Sequence, residues 1–324
     1  MISNIWIAIL ILLIGIAASV WGANLLVDNA SIMARKLGIS EFVIGIVIVG
    51  IGTSFPELSV SFYSSIMGMP DMSVGNIVGS DIFNTLLILG VTSMIAPIFY
   101  EKENVRRDIP VAIASAVILT VMALIHNDFS RLEGIILLVL FGVYIFWILR
   151  EGHKDAALKA AKEGKPAKEK MSAGKTAAAI LLILLGLALL VFGGKCFVDG
   201  ASFIARACGV TDAFIAITIV AAGTSLPELT SNIVSITKNK GQMALGNIIG
   251  SNIFNILLIV GGSATIHPLT MSNVTWVDFA VLILSQAMMF VAAFTFRKHR
   301  LDKQDGILYL LCYGGYLAWL ISQI

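Results

Sequence analysis

The chain has 324 residues, 58% of them hydrophobic and only 13% charged, about half the charge of an ordinary soluble domain. A net charge of +2 offers no basic surface for nucleic acid, and Cys196, Cys208 and Cys312 show neither a CxxC spacing nor a disulfide framework. Such a composition points to a polytopic membrane protein.

The first apolar run, roughly 5–27, has no basic leader and is too long for a signal-peptide core, so it reads as a retained span. Runs long enough to cross a bilayer, about 20 residues each, follow at roughly 39–66, 73–97, 108–126 and 132–149. Beyond a charged segment they resume at roughly 176–198, 211–236, 243–266, 275–296 and 306–323. The expected fold is all-α with ten transmembrane helices: a five-helix unit in 1–149, a linker in 150–175 and a second five-helix unit in 176–324. The linker is rich in Ala, Lys and Glu, with Gly164 and Pro166 interrupting it. It reads as a solvated tether with room for a short surface helix.

Basic residues set the orientation through the positive-inside rule. With the linker in the cytoplasm, the loops holding Arg35/Lys36, Lys102/Arg106/Arg107, Lys238/Lys240 and Arg297/Lys298/Arg300/Lys303 are cytoplasmic too. That puts 19 of the 22 Lys and Arg on one side and leaves Arg131, Lys195 and Arg206 for the other. Both termini are expected outside the cytoplasm, in a plasma-membrane protein.

The two units repeat at a constant offset of 171 residues. VDNASIMARKLGI (27–39) matches VDGASFIARACGV (198–210), GTSFPEL (52–58) matches GTSLPEL (223–229), and VGNIVGSDIFNTLLILG (74–90) matches LGNIIGSNIFNILLIVG (245–261). Five spans is an odd number, so the second copy enters the membrane upside down. Inverted repeats with helix breakers near the midplane are the architecture of secondary transporters.

Within the second span, Glu57 is the only charge between Glu41 and Asp71; within the seventh, Glu228 is the only charge between Asp212 and Lys238. Thr53, Ser54, Glu57, Ser61 and Ser64 share one helix face, and Thr224, Ser225, Glu228, Asn232 and Ser235 share the matching face. A stripe of hydroxyls alone would read as interhelical glue, but an acid at its centre marks protein interior or an ion path. Pro56 and Pro227 each free backbone carbonyls in the preceding turn, that of Gly52 among them. Carbonyls, hydroxyls and a carboxylate within two turns are hard oxygen ligands, suited to Na+ or Ca2+.

The third and eighth spans supply the counterparts. Ser80 and Asn84, matched by Ser251 and Asn255, lie one turn apart. Gly75, Gly79, Gly246 and Gly250 permit unwinding or serve equally as packing devices. Two spans per unit would bring Glu57, Glu228, Asn84 and Asn255 together. Asp81, where the second unit has Asn252, lies about 60° around the helix from Asn84, at the edge of the site or against a neighbouring helix. Asp28 and Asp199 read as interfacial polar residues or caps, His126 and His267 as interfacial, and Trp147, Trp276 and Trp319 as an aromatic belt.

The doubled motif resembles the paired alpha-repeats of the cation/calcium exchanger superfamily, closest to the prokaryotic sodium/calcium exchangers, and the resemblance covers essentially the whole chain. It implies antiport of Ca2+ against Na+ by alternating access, with spans one and six sliding against the rest. It further implies that Glu57 and Glu228 are shared cation ligands, and that Thr53, Ser54, Ser80, Thr224, Ser225 and Ser251 add hydroxyl or carbonyl oxygens. The carbonyls of Gly50 and Ala221 would serve flanking sodium sites. The substrates would be Ca2+ and Na+, with no cofactor and no required protein partner besides the lipid bilayer.

Some members carry Asp at the position of Asn255, whereas this chain has Asn at both Asn84 and Asn255. Two carboxylates neutralise one Ca2+ but not three Na+; Asp81 in the cation path would restore the charge and, being protonatable, would also allow H+/Ca2+ antiport. A cation channel is disfavoured because conduction needs weak binding along an open path. The chain contains no HExxH, GxSxG or nucleotide loop, so an enzyme is not expected.

Overall fold

The structure is a computed structural model that describes residues 4–126, 128–163, 168–211, 215–270, 274–295 and 299–323. Gly164 and Pro166 of the linker, and Arg297 and Lys298 among the loop bases, lie outside the described residues.

Helix α1 (Ile5–Leu37) starts at Asn4, whose side chain accepts from the Trp6 amide, and stops at Gly38, where φ is 66°. It lies along α7 (Ala173–Ala207) through small residues. A Cβ on Gly22 would come within 2.6 Å of the Gly186 carbonyl, so these backbones touch and neither glycine can grow. Both helices outrun their expected spans. Asn29, the first polar residue after Asp28, satisfies itself on the Leu25 carbonyl at 2.7 Å and lets the helix continue. Asp28 itself is internal to α1 and pairs with Lys238 at 2.7 Å, so it is not a cap.

α2 (Glu41–Thr53) and α3 (Phe55–Ile66) meet at Ser54 with a 48° bend. Pro56 sits in the first turn of α3, where a missing amide costs least, and the chain uses that break to turn. Ser225 stands at the matching break between α8 (216–224) and α9 (Leu226–Thr237), with Pro227 in the first turn. The remaining helices are α4 (Pro70–Ile95), α5 (Asn104–Ile125), α6 (Arg131–Glu163), α10 (Gly241–Ile266), α11 (Trp276–Ala292) and α12 (Lys303–Ser322). Wide π turns run through Gly45–Gly50, Phe83–Ile88, Ala216–Val220 and Asn255–Val260. They fall in matching places in the two halves, next to the glutamate motifs and within the asparagine motifs, as such turns do at functional sites.

Among the described residues seven helices are long and apolar enough to cross a bilayer, and the bent pair makes eight; α11 is a shorter apolar helix. α4 and α10 are largely enclosed, whereas α1, α6 and α12 present Trp6, Leu10, Phe146 and Leu311 outward, as lipid-facing helices do.

Two short antiparallel ladders join the halves. β1 (Ile98–Phe99) pairs with β4 (Arg300–Leu301), Ile98 facing Leu301, and β2 (Asp128–Phe129) pairs with β3 (Leu269–Thr270), Phe129 facing Leu269. The tether expected from residue 150 onward is instead helical as far as Glu163, continuous with α6. Arg107 pins this extension by reaching Asp155 at 3.1 Å, and Glu169 beyond it pairs with Arg35 at 3.2 Å. Alanine-rich sequence with opposite charges in reach favours a docked helix over a free tether.

Candidate cation-binding site

The two breaks face each other. Ser54 Oγ donates to Glu228 Oε1 at 3.0 Å, and Ser225 Oγ donates to Glu57 Oε1 at 3.2 Å. Each serine ends one helix and serves the carboxylate at the start of its counterpart's partner helix, so the bonds are related by the repeat. Helix N-termini also suit a carboxylate electrostatically, since Glu57 and Glu228 lie in the first turns of α3 and α9. Asn76 Nδ2 donates to the Glu57 carbonyl at 3.3 Å, and Asn232 Nδ2 donates to that of Glu228 at 3.1 Å.

A second reciprocal pair links the asparagine motifs. Asn255 Nδ2 donates to Asp81 Oδ1 at 2.9 Å, and Asn84 Nδ2 donates to Asn252 Oδ1 at 3.1 Å. Asp81 is fully buried and on the inner side of its helix. It forms no cluster of three acids with Glu57 and Glu228, and no group of three or more His, Cys, Asp or Glu occurs among the described residues.

The expected carbonyl of Gly50 accepts from Ser251 Oγ at 3.3 Å and lies within 3.4 Å of Thr53 Oγ1. Thr53 also reaches Asn247 Oδ1 at 3.2 Å, and its single proton serves one acceptor at a time. Ala221 opens the matching turn Ala221–Thr224. Ser80 and Thr224 line a cavity of about 310 Å³ that extends to Asp71, Asp278 and Tyr316.

The chemistry of the enclosure is one-sided. Glu57 Oε2, Glu228 Oε2, Asp81 Oδ2, Asn84 Oδ1 and Asn255 Oδ1 are buried and have no hydrogen-bond partner among the described residues. All five are acceptors. Among the described residues no Lys, Arg or His is buried, so no fixed cation balances the three acids. Buried carboxylates without a counter-charge are costly, and buried acceptor oxygens left without donors suit a mobile hard cation.

The two sides of this centre differ. Gly246 and Gly250 of α10 press against α2, where a Cβ on Gly250 would fall 2.6 Å from Ile46 Cα. Their repeat equivalents on α4 stand free: a Cβ on Gly79 would meet nothing within 4 Å, and one on Gly75 only Val274 at 3.8 Å. The glycines therefore pack in one unit and border the cavity in the other.

Sequence reasoning passed over part of the network. Asn252 Nδ2 donates to Thr85 Oγ1 at 2.9 Å, and Gln286 Nε2 on α11 reaches the same oxygen at 3.2 Å. A lone glutamine inside the apolar helix α11 was the available signal. Asn247 links α9 to the first stripe by donating to Ser231 Oγ at 3.0 Å and accepting from Thr53.

Comparison with known proteins places this geometry among transporters. The family model described as sodium/calcium exchanger protein matches residues 7–150 and 178–322. The sodium/calcium exchanger MaX1 of Methanosarcina acetivorans is 32% identical, covering 95% of this chain and 97% of its own. The putative antiporter CaxA of Alkalimonas amylolytica is 34% identical over 98% of this chain and 99% of its own. Structures of the sodium-calcium exchanger NCX_Mj superpose throughout; the one soaked with zero Na+ and Ca2+ gives a TM-score of 0.84 at 32% identity, covering 98% of this chain and 100% of that one.

Proposed function

The chain belongs to the sodium/calcium exchanger protein family, and on that premise we propose that it is a Na+/Ca2+ antiporter working by alternating access. In this reading ten spans form two inverted five-helix repeats, 1–149 and 176–324, with the linker 150–175 in the cytoplasm and both termini outside a plasma membrane. Ca2+ bridges Glu57 and Glu228. Thr53, Ser54, Thr224 and Ser225 complete its oxygens, Asn84 and Asn255 close the central position, and Na+ occupies flanking positions built from Gly50, Ala221, Ser80 and Ser251.

The observation that carries the reading is the reciprocal pair Ser54–Glu228 and Ser225–Glu57, each leaving one carboxylate oxygen without a partner. Two donors hold the acids in place while two charged oxygens stay available. Ca2+ and a full complement of Na+ cannot share two acids in a low dielectric, so they compete. Competition for one ligand set, with access from one side at a time, is exchange.

A second reading, H+/Ca2+ antiport, rests on Asp81, buried against Asn255 with one oxygen unpartnered. Calcium uptake into Na+-loaded proteoliposomes diluted into Na+-free buffer tests both. Uptake that requires internal Na+ and ignores a protonophore supports sodium exchange; uptake driven by a pH gradient without Na+ overturns it.

A further inference from the structure

Equivalent turns within the two repeats have the same shape and different chemistry. Lys238-Asn239-Lys240 joins α9 to α10 with Asn239 at φ 58°; Met67-Gly68-Met69 joins α3 to α4 with Gly68 at φ 69°. They correspond at the repeat offset and lie at opposite ends of the bundle. The lysine turn is at the linker end, because Gln242 beside it donates to the Phe99 carbonyl at 2.6 Å, in the β1–β4 ladder, and Lys36 at the end of α1 reaches Thr176 at 2.5 Å.

At that end Asp28 of α1 takes both lysines. Lys238 Nζ is 2.7 Å from Oδ2, and Lys240 Nζ is 3.4 Å from Oδ1 and 3.3 Å from the Val27 carbonyl. The repeat equivalent of Asp28 is Asp199 on α7, and the turn it would meet presents Met67 and Met69 instead of ammonium groups. Asp199 borders a cavity of about 670 Å³ with Ser202, Arg206 and Ile7. The same end-to-end difference appears in the glycines, close-packed between α10 and α2 and free on α4.

We infer that Asp28 with Lys238 and Lys240 is an electrostatic latch that holds α1 against the α9–α10 turn at the linker face. With Met67 and Met69 in place of the two lysines at the opposite face, it biases the resting population toward the form sealed on the linker side. Inverted repeats make the two end states of such a protein near mirror images, so a contact present in only one of them shifts their balance directly. The bias is modest, because the Asp28 side chain is 53% exposed and the pair is screened by salt. The inference rests on the reading that α1 and α7 move against the remaining helices.

The test measures distances between spin labels in nanodiscs without Na+ or Ca2+. Labels go on Leu37→Cys of α1 and Thr237→Cys of α9, in a background with Cys196, Cys208 and Cys312 replaced by Ser. Asp28→Asn is expected to raise the population with longer distances about two- to fivefold. High KCl should move the parent protein the same way and leave Asp28→Asn unmoved. The charge exchange Asp28→Lys with Lys238→Asp and Lys240→Asp should restore the original balance, while Met67→Lys with Met69→Lys, building a latch at the other face, should mimic Asp28→Asn.

An unchanged distribution in Asp28→Asn, together with no response of the parent protein to KCl, overturns the latch. Na+-dependent Ca2+ uptake by the parent protein, run in parallel, keeps the two readings separate. Distances that respond without such uptake retain the latch and remove Na+ exchange. Uptake with unresponsive distances does the reverse.

Discussion

Ser54 Oγ donates to Glu228 Oε1 at 3.0 Å across 174 residues of sequence. The helix break that Pro56 imposes on one half therefore serves the carboxylate of the other half. Because Ser225 and Glu57 repeat the arrangement, the two breaks complete each other, and each half orients the other's carboxylate.

Removing either hydroxyl leaves its carboxylate without an orienting donor. Ser54→Ala and Ser225→Ala should each weaken Ca2+ binding about 10- to 150-fold, in line with about 1.5–3 kcal/mol for a hydrogen bond to a charged group. Calorimetric titration of the purified protein checks this, and the two variants should agree within a factor of about three. A large effect in one and none in the other would mean that the two breaks are not equivalent ligands.

Glu57→Gln and Glu228→Gln separate binding from stability. Each replaces a buried acid that has no buried basic partner, so the unliganded protein should melt no lower than the parent. Ca2+ raises the melting temperature of a protein that binds it in the folded state by mass action. That shift should vanish in both variants and persist in the parent, read by thermal unfolding with and without Ca2+.

Much of this centre is legible in the sequence. The acids, hydroxyls and prolines stand out because each occurs twice at one offset in an otherwise apolar background. Gln286 was not legible on that ground, since it lies beyond the motifs that repeat at the fixed offset. The π turns leave no trace in hydrophobic periodicity, because they add one residue to a turn without changing its apolar character. The length of α1 was missed for a related reason. Asp28 looked like the end of a span, yet it finds its partners in a turn more than 200 residues away, which no local pattern encodes.

Asp81 touches Asn255 and stands apart from the glutamate pair. Asp81→Asn should therefore lower Ca2+ affinity by less than either glutamate change, under about tenfold, while weakening Na+ competition against bound Ca2+. Titrating Na+ against bound Ca2+ in parent and variant reads both. If Ca2+ uptake by the parent rises with an imposed pH gradient and Asp81→Asn abolishes that response alone, the carboxyl carries a proton in place of Na+.

Gly79 and Gly250 occupy equivalent positions with opposite surroundings. A methyl at Gly250 would run into α2 at 2.6 Å from Ile46 Cα, while a methyl at Gly79 would meet nothing within 4 Å. Gly250→Ala should therefore destabilise the protein as seen here, by about 1–3 kcal/mol for a forced core overlap, and lower its melting temperature. Gly79→Ala should fold normally and bind Ca2+ with parent affinity. If the two halves exchange conformations during transport, α4 must close on the 216–220 turn as α10 closes on α2, and the added methyl then blocks that step. Ca2+ exchange by Gly79→Ala is thus expected to fall at least tenfold with binding unchanged; parent-like exchange would mean that α4 never closes in this way.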